Sequence, residues 1–484
     1  MVCTTTNLSK KPLGLKWRSN TLFILSTVAI GLFTDLFLYG LIVPILPFIL
    51  RDRLRIPHSH VQTYSSILLS CYAGASILFS IPAGIIADKL PSRKLPFLVG
   101  LVVLLASTIM LYLGQSIAEL ILARIFQGIS CATVWIVGLA LVLDTVGSKK
   151  LGVAIGSMFS FIGAGNMAAP VIGGLVYEKA GVGAVFAIGF GLLAVDFIMR
   201  LLVIEKKFAR RYEIEDHTQD DSQENNDEEG AERETEEEAA EEEDSPFLQN
   251  AEAEKYKIPE DQPTIILKFP MLYCLSNSRI LMSQVATLMQ ATLFGVFDAT
   301  IPTEAHDLFF FDSLKIGLLF LPLALPYLIL SPVGGIAVDK FGVKPAATIG
   351  FAFLSIPLTL LRIPHQGGTA EIAEFCVFVG LCGVGLAIVS APSVVEASAV
   401  VELYHKHNPE ILGENGPYAQ LYAINSIAQS LGLTLGPLLA GVLRVRIGYG
   451  NMNAVFAGMC LVVSGLCFVY LGGKPKMLRR GGEK

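Results

Sequence analysis

The chain has 484 residues, 53% of them hydrophobic and only 16% charged, with a mean hydropathy of +0.59. A soluble domain carries roughly 25% charged residues, so a surface wetted on all sides is excluded. The formal net charge of -6 comes with no basic patch interleaved with aromatics, which excludes nucleic acid as a partner.

Apolar runs recur along the chain, and crossing a bilayer takes about 20 such residues. The runs are continuous, not alternating. In hydrocarbon every backbone amide needs an internal partner, so they are expected to be helices rather than strands of a barrel. In chain order, a tail over 1–20 precedes spans near 21–50, 62–87, 95–114, 118–146, 152–176 and 183–204. The first run is too long for the apolar core of a cleavable signal peptide and reads as a signal anchor. A polar stretch, 205–278, follows. Further spans are expected near 279–302, 314–337, 345–363, 372–396, 417–443 and 452–472, then a tail over 473–484. The pattern predicts an all-α membrane protein: twelve transmembrane helices in two six-helix halves, 21–204 and 279–472.

The stretch between the halves includes Glu234-Thr235-Glu236-Glu237-Glu238 and Glu241-Glu242-Glu243-Asp244. Blocks of like charge repel and bury no core, so disorder is expected there. Its role is either a passive acidic linker or a regulatory or sorting segment. Lys and Arg near the span ends put both termini and this linker in the cytosol. Arg51, Arg53 and Arg55 run against that rule. The eight cysteines contain no CxxC pair, so neither a metal site nor a disulfide framework is indicated. No His cluster, nucleophile–base arrangement or phosphate-binding loop falls within the spans, so no enzyme activity and no cofactor is expected.

The halves echo each other. Gly84-Ile85-Ile86-Ala87-Asp88-Lys89 returns as Gly335-Ile336-Ala337-Val338-Asp339-Lys340, each at the end of the second span of its half. Two parallel repeats place a binding site between them near the bilayer midplane. Gly84-x-x-x-Asp88-Lys89-x-x-x-Arg93-Lys94 resembles the loop signature of the major facilitator superfamily, with Pro91 where the family usually has Gly. Asp88 and the basic residues, with Asp339 and Lys340 in the repeat, can pair across helix ends and latch one face.

Three more segments carry the resemblance. Arg124-Ile125-Phe126-Gln127-Gly128 is similar to the R-x-x-Q-G motif of the fourth span. The resemblance implies an influence on proton transfer; a bland alternative is an arginine snorkelling outward. In the fifth span Gly163, Gly165, Pro170, Gly173 and Gly174 fit the antiporter motif of drug–proton exchangers, with Ala169 where Gly is common. Small residues there also suit plain tight packing. Leu32-Phe33-Thr34-Asp35 and Val43-Pro44-Ile45-Leu46-Pro47 resemble the first span of the vesicular amine transporter group. A carboxylate inside an apolar helix suits reversible proton binding, pairing with a cationic substrate, or a structural hydrogen bond. Asp298 in the seventh span is a matching acid.

The match weakens later. That group has an acid in the eleventh span where this chain reads Tyr422-Ala423-Ile424-Asn425, and its second-span lysine is also missing. Glu396 either substitutes or sits at the membrane edge. Asp196 and Arg200, four apart, are expected to form a structural pair.

The resemblance implies a proton-coupled antiporter that exports a small organic molecule (metabolite, toxin or drug) by alternating access. Asp35, Asp298, Arg124 and Glu396 are the candidates for proton coupling. Tyr39, Gln127, Asn166, Gln290, Asn425 and Gln429 are candidate substrate contacts, each equally fit for an interhelical hydrogen bond. The expected partners are a small-molecule substrate, protons and the lipid bilayer, with the protein a monomer. The expected place is the cell membrane, with a vacuolar or vesicular membrane as the alternative. A non-transporting receptor or scaffold signalling through the acidic linker is the rival reading.

Overall fold

The computed structural model describes residues 12–43, 45–210, 212, 256–259, 269–311, 315, 318–413 and 416–472. Most of the acidic stretch, including the segment expected to be disordered, and the tail 473–484 lie outside the described residues.

Eleven helices among them are long and apolar enough to cross a membrane. One, Leu151–Leu202, is parted at Gly181, where φ is 76° and the chain leaves the helical region. Glycine takes that conformation without a Cβ clash. The bundle therefore has twelve crossings. The first half holds α1 (Thr21–Ile42), α2 (His58–Lys89), α3 (Lys94–Leu113), α4 (Ile117–Val146), α5 (151–180) and α6 (182–202). The second holds α7 (Ser278–Phe309), α8 (Leu321–Phe341), α9 (Val343–Leu360), α10 (Thr369–Ile388), α11 (Tyr418–Ile447) and α12 (Tyr449–Tyr470). A separate helix, Pro392–His407, continues the course of α10.

One span departs from expectation. The first helix stops at Ile42 rather than near residue 50, and the chain re-forms as a short helix, Leu46–Phe48, and a wider turn, Ile49–Arg53. Pro44 and Pro47 supply no amide to a continuous ladder, so the apolar run is longer than the helix. The eighth helix is described from Leu321, with Lys315 and Leu318 helical just before it, and residue 314 lies outside the described residues. Elsewhere local chemistry sets the ends. Ser116 and Glu119 form a reciprocal capping box at the start of α4, and the Asn20 side chain accepts the Leu22 amide at α1. Leu90 precedes Pro91 and is extended (φ -83°, ψ 138°). Proline excludes helix from the residue before it, so the α2–α3 turn is made without the family's glycine.

Six crossings per half put the start of α1 and the end of α12 on one face, called here the near face. Glycines set how closely the helices pass. A Cβ on Gly173 of α5 would stand 2.4 Å from the Leu41 carbonyl oxygen of α1, and one on Gly128 of α4 would stand 2.3 Å from the Tyr72 carbonyl oxygen of α2. The halves meet along α2 with α11 and α5 with α8. Gly84 abuts Ala419, and Gly335 abuts Gly152. Small residues allow such backbone approach where lipid gives no hydrophobic drive. The described ends of the linker are tied to the near face. Glu205 accepts from Ser92 Oγ (2.5 Å) and the Lys94 amide (2.8 Å), and the Ile258 amide donates to Asn408 Oδ1 (2.8 Å).

Candidate transport site

The near face is closed by two acids that each cap a helix of the opposite half. Asp88, at the end of α2, accepts the backbone amides of Ala419 and Gln420 at the start of α11, both at 2.9 Å. Asp339, at the end of α8, accepts the amides of Gly152 and Val153 at the start of α5, at 2.8 and 2.9 Å. The first amides of a helix have no intrahelical partner and carry the positive end of its dipole, so a carboxylate there is held by both effects. Arg93 fixes Asp88 from within its own half (3.1 Å) and reaches Asp144 of α4 (3.2 Å). Burial works against the Arg93 charge, but Asp144 and Asp88 outweigh it and hold its pKa above the ordinary value. Lys89 and Lys340 stay exposed. Lys94 turns to the end of α6, donating to the carbonyls of Leu201 (2.6 Å) and Val203 (2.8 Å). Asp88 thus pairs with Arg93, one of the basic residues of its loop, and both latch acids also hold backbone amides of the opposite half. A lysine ammonium at a solvated helix end gains little from a fixed partner.

Deeper in the first half, Asp35 of α1 is wholly buried, and neither carboxylate oxygen has a hydrogen-bond partner of ordinary geometry. The Cys131 thiol of α4 lies against it, and the charges that reach it belong to Arg200 and Asp196 of α6. Those two form the expected pair at 2.6 and 2.8 Å. Arg200 also donates to the Phe97 carbonyl and lies 3.7 Å from the centre of the Phe97 ring.

Arg124 of α4 is fully buried as well, so its side chain turns into the bundle rather than snorkelling outward. It donates to Gln127 Oε1 (2.8 Å), while its Nε and second terminal nitrogen, with Gln127 Nε2 and Ser130 Oγ, find no partner. Its guanidinium carbon sits 5.7 Å from the centre of the Tyr39 ring, and Tyr39 stacks on Tyr72 with centres 4.4 Å apart. Tyr39 is half-buried and lies within electrostatic reach of Asp298 of α7. Asp298 and Asn166 of α5 keep open surface midway along their helices. Ionisable groups that deep in a membrane protein face a water-filled cavity. Tyr39 and Asp298, which feel each other across the halves, therefore mark the inner wall between them.

The remaining residues separate. Gln290 is buried on α7, and Gln429 is half-buried on α11. Asn425 accepts from Thr287 at 2.9 Å, tying α11 to α7. Glu396 does not join Asp35 or Asp298. It lies toward the near face, pairs with Arg279 (2.7 Å) and accepts the Gly472 amide (2.7 Å). In the glycine motif, Gly163 faces the Tyr327 ring of α8, Gly165 faces Phe33, and Pro170 faces Gly40. Gly174 has open space where a Cβ would go. Sequence reasoning missed the amides of Ala419 and Gly152, which carry no side-chain signal. It also missed Tyr72, and it weighed the cysteines as metal ligands or disulfide partners, which left Cys131 without a role.

Twelve helices in two alike halves, latched at one face around an inner wall bearing polar groups, define a membrane transporter. The Major Facilitator Superfamily model matches residues 28–402 and 280–484, and the chain belongs to that superfamily. It is 44% identical over 474 residues to the MFS-type transporter ppzB of Metarhizium rileyi, covering 95% of this chain and 97% of that protein. It is 38% identical over 454 residues to an uncharacterised MFS-type transporter of Schizosaccharomyces pombe, covering 93% and 96%. The likeness to the vesicular acetylcholine transporter of Drosophila melanogaster is more distant, 22% over 479 residues, covering 90% and 69%. Among solved structures, the human organic anion transporter MFSD10 (TETRAN) superposes with a TM-score of 0.61 at 15% identity, covering 93% of this chain and 99% of that one. That likeness speaks to fold alone.

Proposed function

We infer that this transporter is a proton-coupled antiporter exporting a small organic molecule, with the near face toward the cytosol. The observation that carries the reading is Asp35, wholly buried with neither oxygen paired. A charge there costs several kcal/mol unless it is compensated. Gaining or losing a proton at Asp35 therefore changes the relative energies of two arrangements of the halves, which is what coupling requires. A hydroxyl or amide would serve an interhelical bond equally well. The latch supports alternating access, because both ties across the near face use helix ends that can part as units. Asp298, within electrostatic reach of Tyr39 in the other half, and exposed Asn166 are the proposed first contacts for solute. The lysine- and arginine-rich ends of the near face favour the cytosolic side. The cell membrane is the proposed location, with a vacuolar or vesicular membrane as the alternative.

Solutes to test come from comparing the metabolites of cells with and without the protein. The full chain in phosphatidylcholine vesicles, acid inside, should leak protons outward when such a solute is added outside, and solute should accumulate inside. Solute binding with neither movement would instead favour a receptor on a transporter fold.

A further inference from the structure

Asp35 raises a question of access. The carboxyl is sealed, so a proton reaching it must pass through groups that touch it. The surroundings offer few routes. Asp196 and Arg200 face it from α6, but the Arg200 guanidinium is engaged twice by Asp196 and once by the Phe97 carbonyl, and guanidinium does not release its proton. On the α5 side α1 meets Gly165 and Gly173, which offer no side-chain donor. From α4 and α2, by contrast, come a thiol and a phenol in mutual contact. Cys131 sits one turn on from Gly128, where α4 meets the backbone of Tyr72 and Ser76 on α2, and its thiol is beside Asp35, Tyr72 and Ser76. Exposure grows along this line. Asp35 is 0% exposed, Cys131 and Tyr72 are each 8% exposed, and Tyr39, stacked on Tyr72, is half-buried at the wall of the inner space. Unpartnered Ser130 Oγ, Gln127 Nε2 and Arg124 Nε lie on the same helix as Cys131. Buried polar atoms without protein partners are the usual lining of internal water sites.

We propose that Tyr72 and Cys131 relay protons between water at the inner wall and Asp35, a reading that rests on Asp35 being the coupling acid. Hydronium gives a proton to Tyr72 Oη as the phenol proton passes to Cys131 Sγ and the thiol proton passes to an Asp35 carboxylate oxygen. Three bonds to hydrogen form as three break. The net change is one proton moved from water to the carboxylate, and Tyr72 and Cys131 return to their starting forms. The reverse sequence discharges Asp35. Both are positioning residues for the proton, acting through Asp35 rather than on solute.

The test needs no solute. The purified full chain in phosphatidylcholine vesicles is given an acid pH jump, and the carbonyl stretch of newly protonated carboxyl is followed by infrared difference spectroscopy. Asp35→Asn identifies the Asp35 band by its loss. In Tyr72→Phe and Cys131→Ala the same band should reach its full height about 100-fold more slowly, the scale of losing one positioned proton-transfer group. Cys131→Ser, which restores a donor and acceptor, should recover most of the rate. Cys460→Ala, which removes a buried thiol on α12 outside the line, should leave it unchanged. A merely structural role for Tyr72 and Cys131 would alter band height or midpoint without the selective slowing, and would overturn the relay while leaving Asp35 as the coupling acid. If wild type shows no band that Asp35→Asn removes, Asp35 does not titrate and both readings fall.

Discussion

Asp88 of α2 holds an amide in the first turn of α11, at Ala419, across the boundary between the halves at 2.9 Å, and Asp339 of α8 repeats the arrangement on α5. Asparagine keeps the shape but drops the charge facing the helix dipole, a loss of about 1 kcal/mol, or roughly a fivefold shift toward the unlatched arrangement. The two acids cap different helices, α11 and α5, so the effects of Asp88→Asn and Asp339→Asn should add. Spin labels placed at exposed Lys149 and Glu410, one on each half at the near face, report the distance distribution. The long-distance population should grow in each single variant and most in the double. An unchanged distribution in the double variant would mean that these acids do not hold the face shut.

The glycine motif of α5 separates packing from the rest by position. Gly173 has the Leu41 carbonyl oxygen 2.4 Å from where a Cβ would stand, whereas neighbouring Gly174 has nothing within 4 Å. Gly173→Ala should push α5 off α1, lowering the melting temperature of the detergent-solubilised protein by several degrees, as overpacking by one methyl costs about 1–3 kcal/mol. Gly174→Ala should melt with wild type. Equal melting of the two variants would remove Gly173 from the α1–α5 contact.

Much of this was legible in the amino-acid order, because a membrane span announces itself by length and hydropathy and a repeat by its spacing. The Asp196–Arg200 pair followed from helical geometry, and the latch acids from the repeated Gly-x-x-x-Asp. What stayed hidden depends on the third dimension or on the backbone. The partners of Asp88 and Asp339 are amides that any residue could supply. Cys131 looks like one more small apolar residue until Gly128 lets α2 approach and brings Tyr72 beside the thiol. The end of α1 was masked by an apolar run that continues through Pro44 and Pro47. Glu396 could be placed only once its partner Arg279, more than a hundred residues away in sequence, was seen beside it.

The buried Asp196–Arg200 pair makes its own forecast. Removing one member leaves the other charged and buried, at a cost of about 3–5 kcal/mol, whereas replacing both with apolar residues is often close to neutral. Asp196→Leu and Arg200→Met should each depress thermal stability sharply, and the double variant should recover most of the loss. Calorimetry or a fluorescence melt decides it. Single variants as stable as the double would show that the pair carries no such coupling.

The most direct test of the account is Asp35→Asn in inverted membrane vesicles, with solute uptake followed with and without an imposed pH gradient. Asparagine has the shape of the protonated acid, so the variant should fold and reach the membrane at wild-type levels. Wild type should concentrate solute when the gradient is applied. The variant should lose that accumulation entirely while retaining exchange of solute for solute, which needs no net proton movement. If Asp35→Asn still concentrates solute in response to the gradient, Asp35 is not the coupling acid, and the account of this transporter as driven through it is wrong.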